Sequence, residues 1–189
     1  MIIKKKMTEK ILIREFIKDK KVGAAFSTSK HVIKKMLGSI DFDKAKSLVE
    51  YGPGKGVITT HLLERMRKDA VLFVFETNEI FIKELSNIKD KRLVIINEDA
   101  EHARTILKNR YKISEVDYVI STIPFTFFDR KKRMRVISKT HHLLNENGKF
   151  ITYQYTWLIY QLIKQKFHQT RVMAAVLNIP PAIIFTGIK

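Results

Sequence analysis

Three glycines at alternate positions, Gly52, Gly54 and Gly56, follow an acid, Glu50, at the end of a short apolar run from Ser47. Glycine carries no Cβ, so this spacing makes a sharp turn whose backbone can close on a ligand. The dinucleotide fingerprint G-x-G-x-x-G is not met, because the third glycine comes one residue early, and Glu50 would repel a pyrophosphate. A P-loop is excluded, since no Gly-Lys-Ser/Thr follows at the right distance. A ligand with a cationic amino acid end and a ribose fits instead. A second acid, Glu76, ends the apolar run Val71–Phe75, twenty residues beyond Gly56. Nucleotide-binding folds place the acid that takes the ribose hydroxyls at about that distance, and one carboxylate can accept both protons.

These two sites point to S-adenosylmethionine (SAM), and E-x-G-x-G-x-G over Glu50–Gly56 resembles motif I of the class I methyltransferases. Further along, Arg92–Ile96 leads into Asn97-Glu98-Asp99-Ala100. Asp99 suits the exocyclic amine of an adenine and the Ala100 N–H suits a ring nitrogen, with Glu98 the rival acid. The run Val116–Ile120 ends in Ser121-Thr122-Ile123-Pro124-Phe125. In a doubly wound sheet this segment lies beside the glycine turn, where ligands bind. Ser121 falls to the cofactor. Thr122, Pro124 and Phe125 fall to the reacting methyl, with the proline fixing the backbone. The segment resembles motif IV of amino-group methyltransferases, although Thr122 stands where adenine-N6 enzymes carry asparagine.

The elements that must position these residues follow from periodicity and punctuation. Apolar runs predict strands at Ser47–Tyr51, Val71–Phe75, Arg92–Ile96 and Val116–Ile120, and alternation predicts a fifth over Lys149–Tyr155. Between them, helices are predicted at Lys30–Leu37, capped from Ser27–Ser29 and stopped by Gly38, and at Val57–Met66 with Val57, Leu62, Leu63 and Met66 on one side. Another helix starts near Ala103, one runs from an Asp129 cap to Leu144, and one covers Trp157–Lys166. Asn145–Gly148 reads as a turn. The uncharged tail Val172–Ile188, broken by Asn178, Pro180 and Pro181, predicts an antiparallel hairpin rather than a membrane span.

The 189 residues, 45% hydrophobic, suffice for one globular domain: a leader over 1–38 and a SAM-binding core over 39–189. Cysteine is absent, which excludes disulfides and thiolate metal sites; no metal is expected and a cytoplasmic location is. The basic N-terminus has no apolar core of about 7–15 residues, so no signal peptide is expected. The net charge of +17 comes from 36 Lys+Arg against 19 Asp+Glu, a surface that seeks polyanions, either nucleic acid or an anionic membrane face. Met1–Lys21 reads as a basic amphipathic helix bearing Lys5, Lys6, Lys10 and Arg14. Two placements stay open for it: flat in a membrane interface, or packed on the core with its basic face solvated. Arg130–Arg135 begins a helix near the expected substrate mouth, where Arg130 and Arg133 suit a phosphate. Phe125, Phe127, Phe128, Tyr153 and Tyr155 are candidates to enclose an amine as it becomes a methylated cation.

The whole chain resembles the bacterial phospholipid N-methyltransferases, which act on phosphatidylethanolamine, and more distantly the rRNA adenine dimethyltransferases. Four segments carry the likeness: Lys20–Ser29 (Lys-Lys-Val-Gly-Ala-Ala-Phe-Ser-Thr-Ser), Val49–Gly56, Thr122–Phe125, and Asn178–Ala182 (Asn-Ile-Pro-Pro-Ala). The resemblance implies a Rossmann-like α/β fold with a seven-stranded, mostly parallel sheet in the order 3-2-1-4-5-7-6. It implies SAM as donor and an N-terminal helix that binds anionic lipid at the inner face of the membrane. RNA is the alternative partner, with rRNA adenine as substrate. A SAM-fold module that binds membrane or RNA without catalysis is the third reading.

Overall fold

The computed structural model describes residues 29–176 and 181–189. The expected leader helix, with Lys5, Lys6, Lys10 and Arg14, lies outside the described residues, as does the turn of the tail hairpin. Seven strands form one sheet in the order β3-β2-β1-β4-β5-β7-β6. They are β1 (Ser47–Tyr51), β2 (Val71–Glu76), β3 (Leu93–Asn97), β4 (Val116–Ser121), β5 (Leu144–Gln154), β6 (Gln169–Ala175) and β7 (Ala182–Ile188). The first five run parallel, and β7 pairs antiparallel with both β5 and β6. This is the order that the resemblance implied.

Because strand side chains alternate, the sheet buries two separate cores. Leu48, Leu72, Val74, Ile120 and Ile151 join helices α1 (Lys30–Leu37), α2 (Val57–Arg65) and α3 (Glu79–Leu85) on one face. Val49, Tyr51, Phe73, Phe75, Val119 and Phe150 join α4 (Ala103–Tyr111), α5 (Arg130–Leu143) and α6 (Tyr160–Lys166) on the other. Covered on both faces, the central strands read as unbroken apolar runs, which is why they were readable.

Capping fixes several helix starts where expected. Ser29 accepts from the Val32 N–H, and Asp129 accepts from the Lys132 N–H at 2.7 Å. Such caps typically contribute about 1 kcal/mol. Three expectations are corrected. Helix α2 turns Ile58 inward and leaves Val57 51% exposed, because left-handed Gly56 (φ 80°) sets its phase. Asn145–Gly148 is not a free turn but an irregularity inside β5, where the register to β4 slips between Val116 and Tyr118. Asn147 takes φ 65° there, pinned by its N–H to the Lys189 carbonyl, while the Asn145 amide donates to Asp117. Finally, α6 begins at Tyr160 rather than Trp157, whose ring packs edge-on against Phe185 at 5.6 Å.

Candidate active site

The carboxyl ends of β1, β2, β3 and β4 share one rim, with Tyr51 level with Phe75 and Ser121. All three motif I glycines adopt positive φ: 67° at Gly52, 56° at Gly54 and 80° at Gly56. Each has a different reason to lack a side chain. A Cβ at Gly52 would press on Ile123 at 3.0 Å, and one at Gly56 would press on Leu85 and Ile88 at 3.0 Å. At Gly54 a Cβ would meet nothing within 4 Å among the described residues. Gly52 and Gly56 are therefore bare so that the protein can pack, and Gly54 is bare over open space.

Glu76 sits at the rim, 8% exposed. Its Oε1 accepts from the N–H groups of Thr77 (2.8 Å) and Asn78 (2.9 Å), and its Oε2 accepts from Gly54 N–H at 3.2 Å. Burial raises its pKa, against the lowering by the three N–H groups. A carboxylate offers about four acceptor positions, so one remains free, on Oε2. A vicinal diol needs two, and the long Gly54 contact is the one that gives way most cheaply.

Glu50 is fully buried, with Oε2 accepting from Thr59 Oγ1 at 2.7 Å. Its Oε1 has no hydrogen-bond partner among the described residues. Burial, opposed by the Thr59 bond and reinforced by the Glu76 charge, pushes its pKa up to about 8. An orphaned buried carboxyl oxygen costs roughly 1–3 kcal/mol, which the protein bears beside the glycine turn.

Asp99 caps a short 3-10 turn, Ala100–His102, accepting from Glu101 N–H. Its Oδ2 also holds Lys132 Nζ at 2.9 Å, and Lys132 lies 4.2 Å from the centre of the Phe128 ring. Burial raises its pKa, but the Glu101 N–H and Lys132 outweigh that and the net shift is downward. Asp99 is thus a held carboxylate beside the buried Ala100. Glu98, half-buried like Asp99, instead lies 3.6 Å from His102.

The segment after β4 is tied to the glycine turn. Thr122 N–H donates to the Tyr51 carbonyl, and its hydroxyl donates to the Gly52 carbonyl. Ser121 is fully buried, and its Oγ accepts from Ile123 N–H at 3.3 Å. Pro124 precedes a 3-10 turn over Phe125–Phe127. That turn puts Phe125 in the core, with no exposed surface, edge-on to Phe128 at 5.8 Å. Tyr153 and Tyr155 form a second edge-on pair at 5.8 Å, packed with the core on the opposite face. Of the five aromatics expected around the amine, Phe125 and Phe128 thereby fall on one face and Tyr153 and Tyr155 on the other. Of the two arginines expected to meet a phosphate, Arg130 is exposed, whereas the Arg133 Nε is buried.

Gln154 is the residue that sequence reasoning missed. Its Nε2 donates to the Ile123 carbonyl at 2.9 Å and to Thr152 Oγ1 at 3.2 Å, and its Oε1 accepts from Phe125 N–H at 3.3 Å. One amide thus clamps the backbone on both sides of Pro124. The only signal in the sequence was a polar residue on the alternating strand at the position that turned out to be buried.

Three features test this rim against SAM. Gly54 leaves a cradle that a Cβ would fill, Glu76 keeps a free acceptor position, and Glu50 keeps an unpaired oxygen behind the turn. All three suit a donor with ribose hydroxyls and a cationic amino end.

The chain matches the ribosomal RNA adenine dimethylase family over residues 16–183. It is 25% identical over 148 residues to an ornithine lipid N-methyltransferase of Singulisphaera acidiphila, covering 76% of each chain. It is 35% identical over 96 residues to a ribosomal RNA small subunit methyltransferase A of Lachnoclostridium phytofermentans, covering 50% of this chain and 33% of that one. It therefore spans about three quarters of the lipid relative and a third of the rRNA relative. Among solved structures, the SAM-bound magnesium protoporphyrin IX methyltransferase of Synechocystis superposes with TM-score 0.67 at 10% identity, covering 96% of this chain and 97% of that one. A precorrin-6y C5,15-methyltransferase of Geobacter metallireducens gives 0.67 at 14% identity over 86% and 91%. With the family match spanning most of the sequence, this chain belongs to the ribosomal RNA adenine dimethylase family and is a SAM-dependent methyltransferase of Rossmann-like fold.

Proposed function

We propose that this enzyme methylates the primary amine of a lipid head group, of the phosphatidylethanolamine type, at an anionic membrane surface. One observation carries the reading. Thr122 donates its hydroxyl proton to the Gly52 carbonyl, and threonine carries no side-chain carbonyl. The motif IV position that holds an asparagine amide in adenine-N6 enzymes therefore offers an incoming adenine amine only the lone pairs of a tethered hydroxyl. A relative that this chain matches along most of both lengths is named for N-methylation of ornithine lipid, another lipid-borne amine.

SAM supplies, when bound, a methyl group activated on a positively charged sulfur. The chain's own contribution is placement, and orienting two reactants can supply much of a barrier by itself. Glu76 takes the ribose hydroxyls, Asp99 and the Ala100 N–H take the adenine, and the backbone at Gly54 lets the donor approach. Ser121 shapes the strand end on the donor side. Thr122 and Gln154 hold Ile123 and Pro124 against the glycine turn, so the acceptor meets a fixed stretch of backbone. An ammonium must lose a proton before its nitrogen can attack. No histidine or acid among the described residues is hydrogen-bonded to Ser121–Phe125, and water or a strand-end carbonyl suffices to take that proton. Arg130 at the start of α5 suits the lipid phosphate.

A second reading, methylation of an rRNA adenine amine, is favoured by the family match and by the 35% identity to the Lachnoclostridium enzyme. Labelled SAM offered to vesicles of phosphatidylethanolamine and phosphatidylglycerol, and separately to ribosomal RNA, decides between them. Label in the lipid is expected; label in RNA alone overturns the lipid reading.

A further inference from the structure

Beyond Gln154 the chain leaves β5 at the motif IV end of the sheet, since Thr152 is level with Ser121. The connection to α6 carries Trp157, 58% exposed, and Leu158, 44% exposed. Trp157 is propped from within: its ring meets Tyr160 edge-on at 5.5 Å and Phe185 at 5.6 Å. An indole held this way stands in solvent without having to be ordered on binding. Helix α5 packs beside α6 and starts at the same rim. Its first turn exposes Arg130 and Lys131, neither in an ion pair among the described residues, and Met134 one turn on is 45% exposed. The rim thus presents an indole, a leucine and a methionine together with two cations, on a chain of net charge +17.

We infer that this rim, Trp157 and Leu158 at the head of α6 with Arg130, Lys131 and Met134 at the head of α5, is a docking surface that inserts into the interface of an anionic bilayer. Tryptophan favours the boundary where one end is apolar and the other wet. Cations beside it gain from anionic head groups and from little else at that depth. An RNA surface would suit the indole by base stacking, but it offers nothing to Leu158 and Met134, which cannot stack. The surface would set the motif IV end of the sheet against the lipid, so that a head-group amine reaches Pro124 without leaving the membrane plane. This rests on the lipid reading of the substrate, and it adds a contact made by the catalytic core itself, separate from the leader.

Trp157 is the only tryptophan in the chain, so its emission reports on this surface alone. The full-length protein is titrated with vesicles of phosphatidylethanolamine and phosphatidylglycerol whose acyl chains are brominated. A blue shift with quenching by the bromines is expected. Leu158→Glu should weaken vesicle binding at least about tenfold, the loss of one apolar side chain from the interface, while SAM affinity stays unchanged and certifies the fold. Failure to bind, binding with unshifted and unquenched emission, or a shift elicited only by an RNA oligonucleotide would each overturn the inference. Methyl transfer to lipid with a silent Trp157 removes this surface and leaves the substrate reading standing. Insertion without lipid methylation does the reverse.

Discussion

The donor and acceptor halves of the rim are built on opposite plans. On the donor side, carboxylates gather backbone N–H groups, most of them from the next residues: Glu76 takes Thr77 and Asn78, with Gly54 from 22 residues back, and Asp99 takes Glu101. On the acceptor side, side chains grip backbone far away in sequence. Thr122 holds Gly52 across 70 residues, and Gln154 holds Ile123 and Phe125 across 31 and 29. The first plan yields a preset electrostatic receptor, and the second yields a shape in the backbone. Damage to the first should appear in donor binding, and damage to the second in turnover.

The largest break in that contrast is Glu76→Ala. It removes a charged acceptor from the ribose and leaves three N–H groups without their carboxylate. Two hydrogen bonds to a charged group are worth about 1.5–3 kcal/mol each, so SAM affinity by calorimetry should fall on the order of 100-fold or more. Unchanged affinity would mean that the ribose lies elsewhere.

Gln154→Leu probes the other plan. The side chain keeps its bulk, but the Ile123 carbonyl and Phe125 N–H lose their clamp. A misplacement of about 1 Å at a reacting centre can cost about 100-fold, so kcat should fall roughly 10–100-fold. SAM affinity should hold, and Gln154→Glu should not rescue, because a carboxylate cannot donate to Ile123. A fall in SAM affinity with kcat preserved would erase the distinction between the halves.

The same contrast decides what was legible in the sequence. The glycine turn, Glu76, and the caps at Ser29 and Asp129 are local devices whose partners sit within a few residues or at a fixed spacing, so residue order displays them. The sheet order came with the family likeness. Gln154 went unseen because its partners are brought to it only by the crossover from β4 through α5. Phe125, expected at the methyl, is swung into the core by the 3-10 turn after Pro124, a rotation that no periodicity announces. The spacing of Trp157 allows a helix; Phe185, on a strand that comes later in the chain, packs against its ring before α6 begins.

Within the donor half, Gly54 and Gly56 sharpen the comparison further. Gly54→Ala puts a methyl into space that none of the described residues uses. Its stability cost is only that of left-handed backbone, about 1–2 kcal/mol, while SAM affinity should drop about tenfold because the space belongs to the ligand. Gly56→Ala drives the same methyl into Leu85 and Ile88. There the thermal midpoint should fall further and affinity should move less. Equal behaviour of the two variants would show that Gly54 lines nothing.

A last test concerns the carboxyl that neither plan satisfies. The Glu50 pKa is pushed up to about 8 by burial, from an ordinary 4.5. Between those values the folded protein keeps a proton that the unfolded chain has released. Its contribution to stability is therefore full below the unfolded value, declines as pH rises toward 8, and is level above it. Glutamine has no such proton, so Glu50→Gln should flatten the decline; whatever slope remains belongs to Glu76, whose pKa is also raised. A shift of even two pKa units is on the order of 3 kcal/mol, enough to move the midpoint by several degrees for a chain of this length. Melting both proteins at about pH 5 and about pH 9 measures it, and parallel slopes would show that Glu50 is charged throughout. SAM affinity should change less than in Glu76→Ala, because one Glu50 oxygen is already committed to Thr59 and only the other is left to answer a cation.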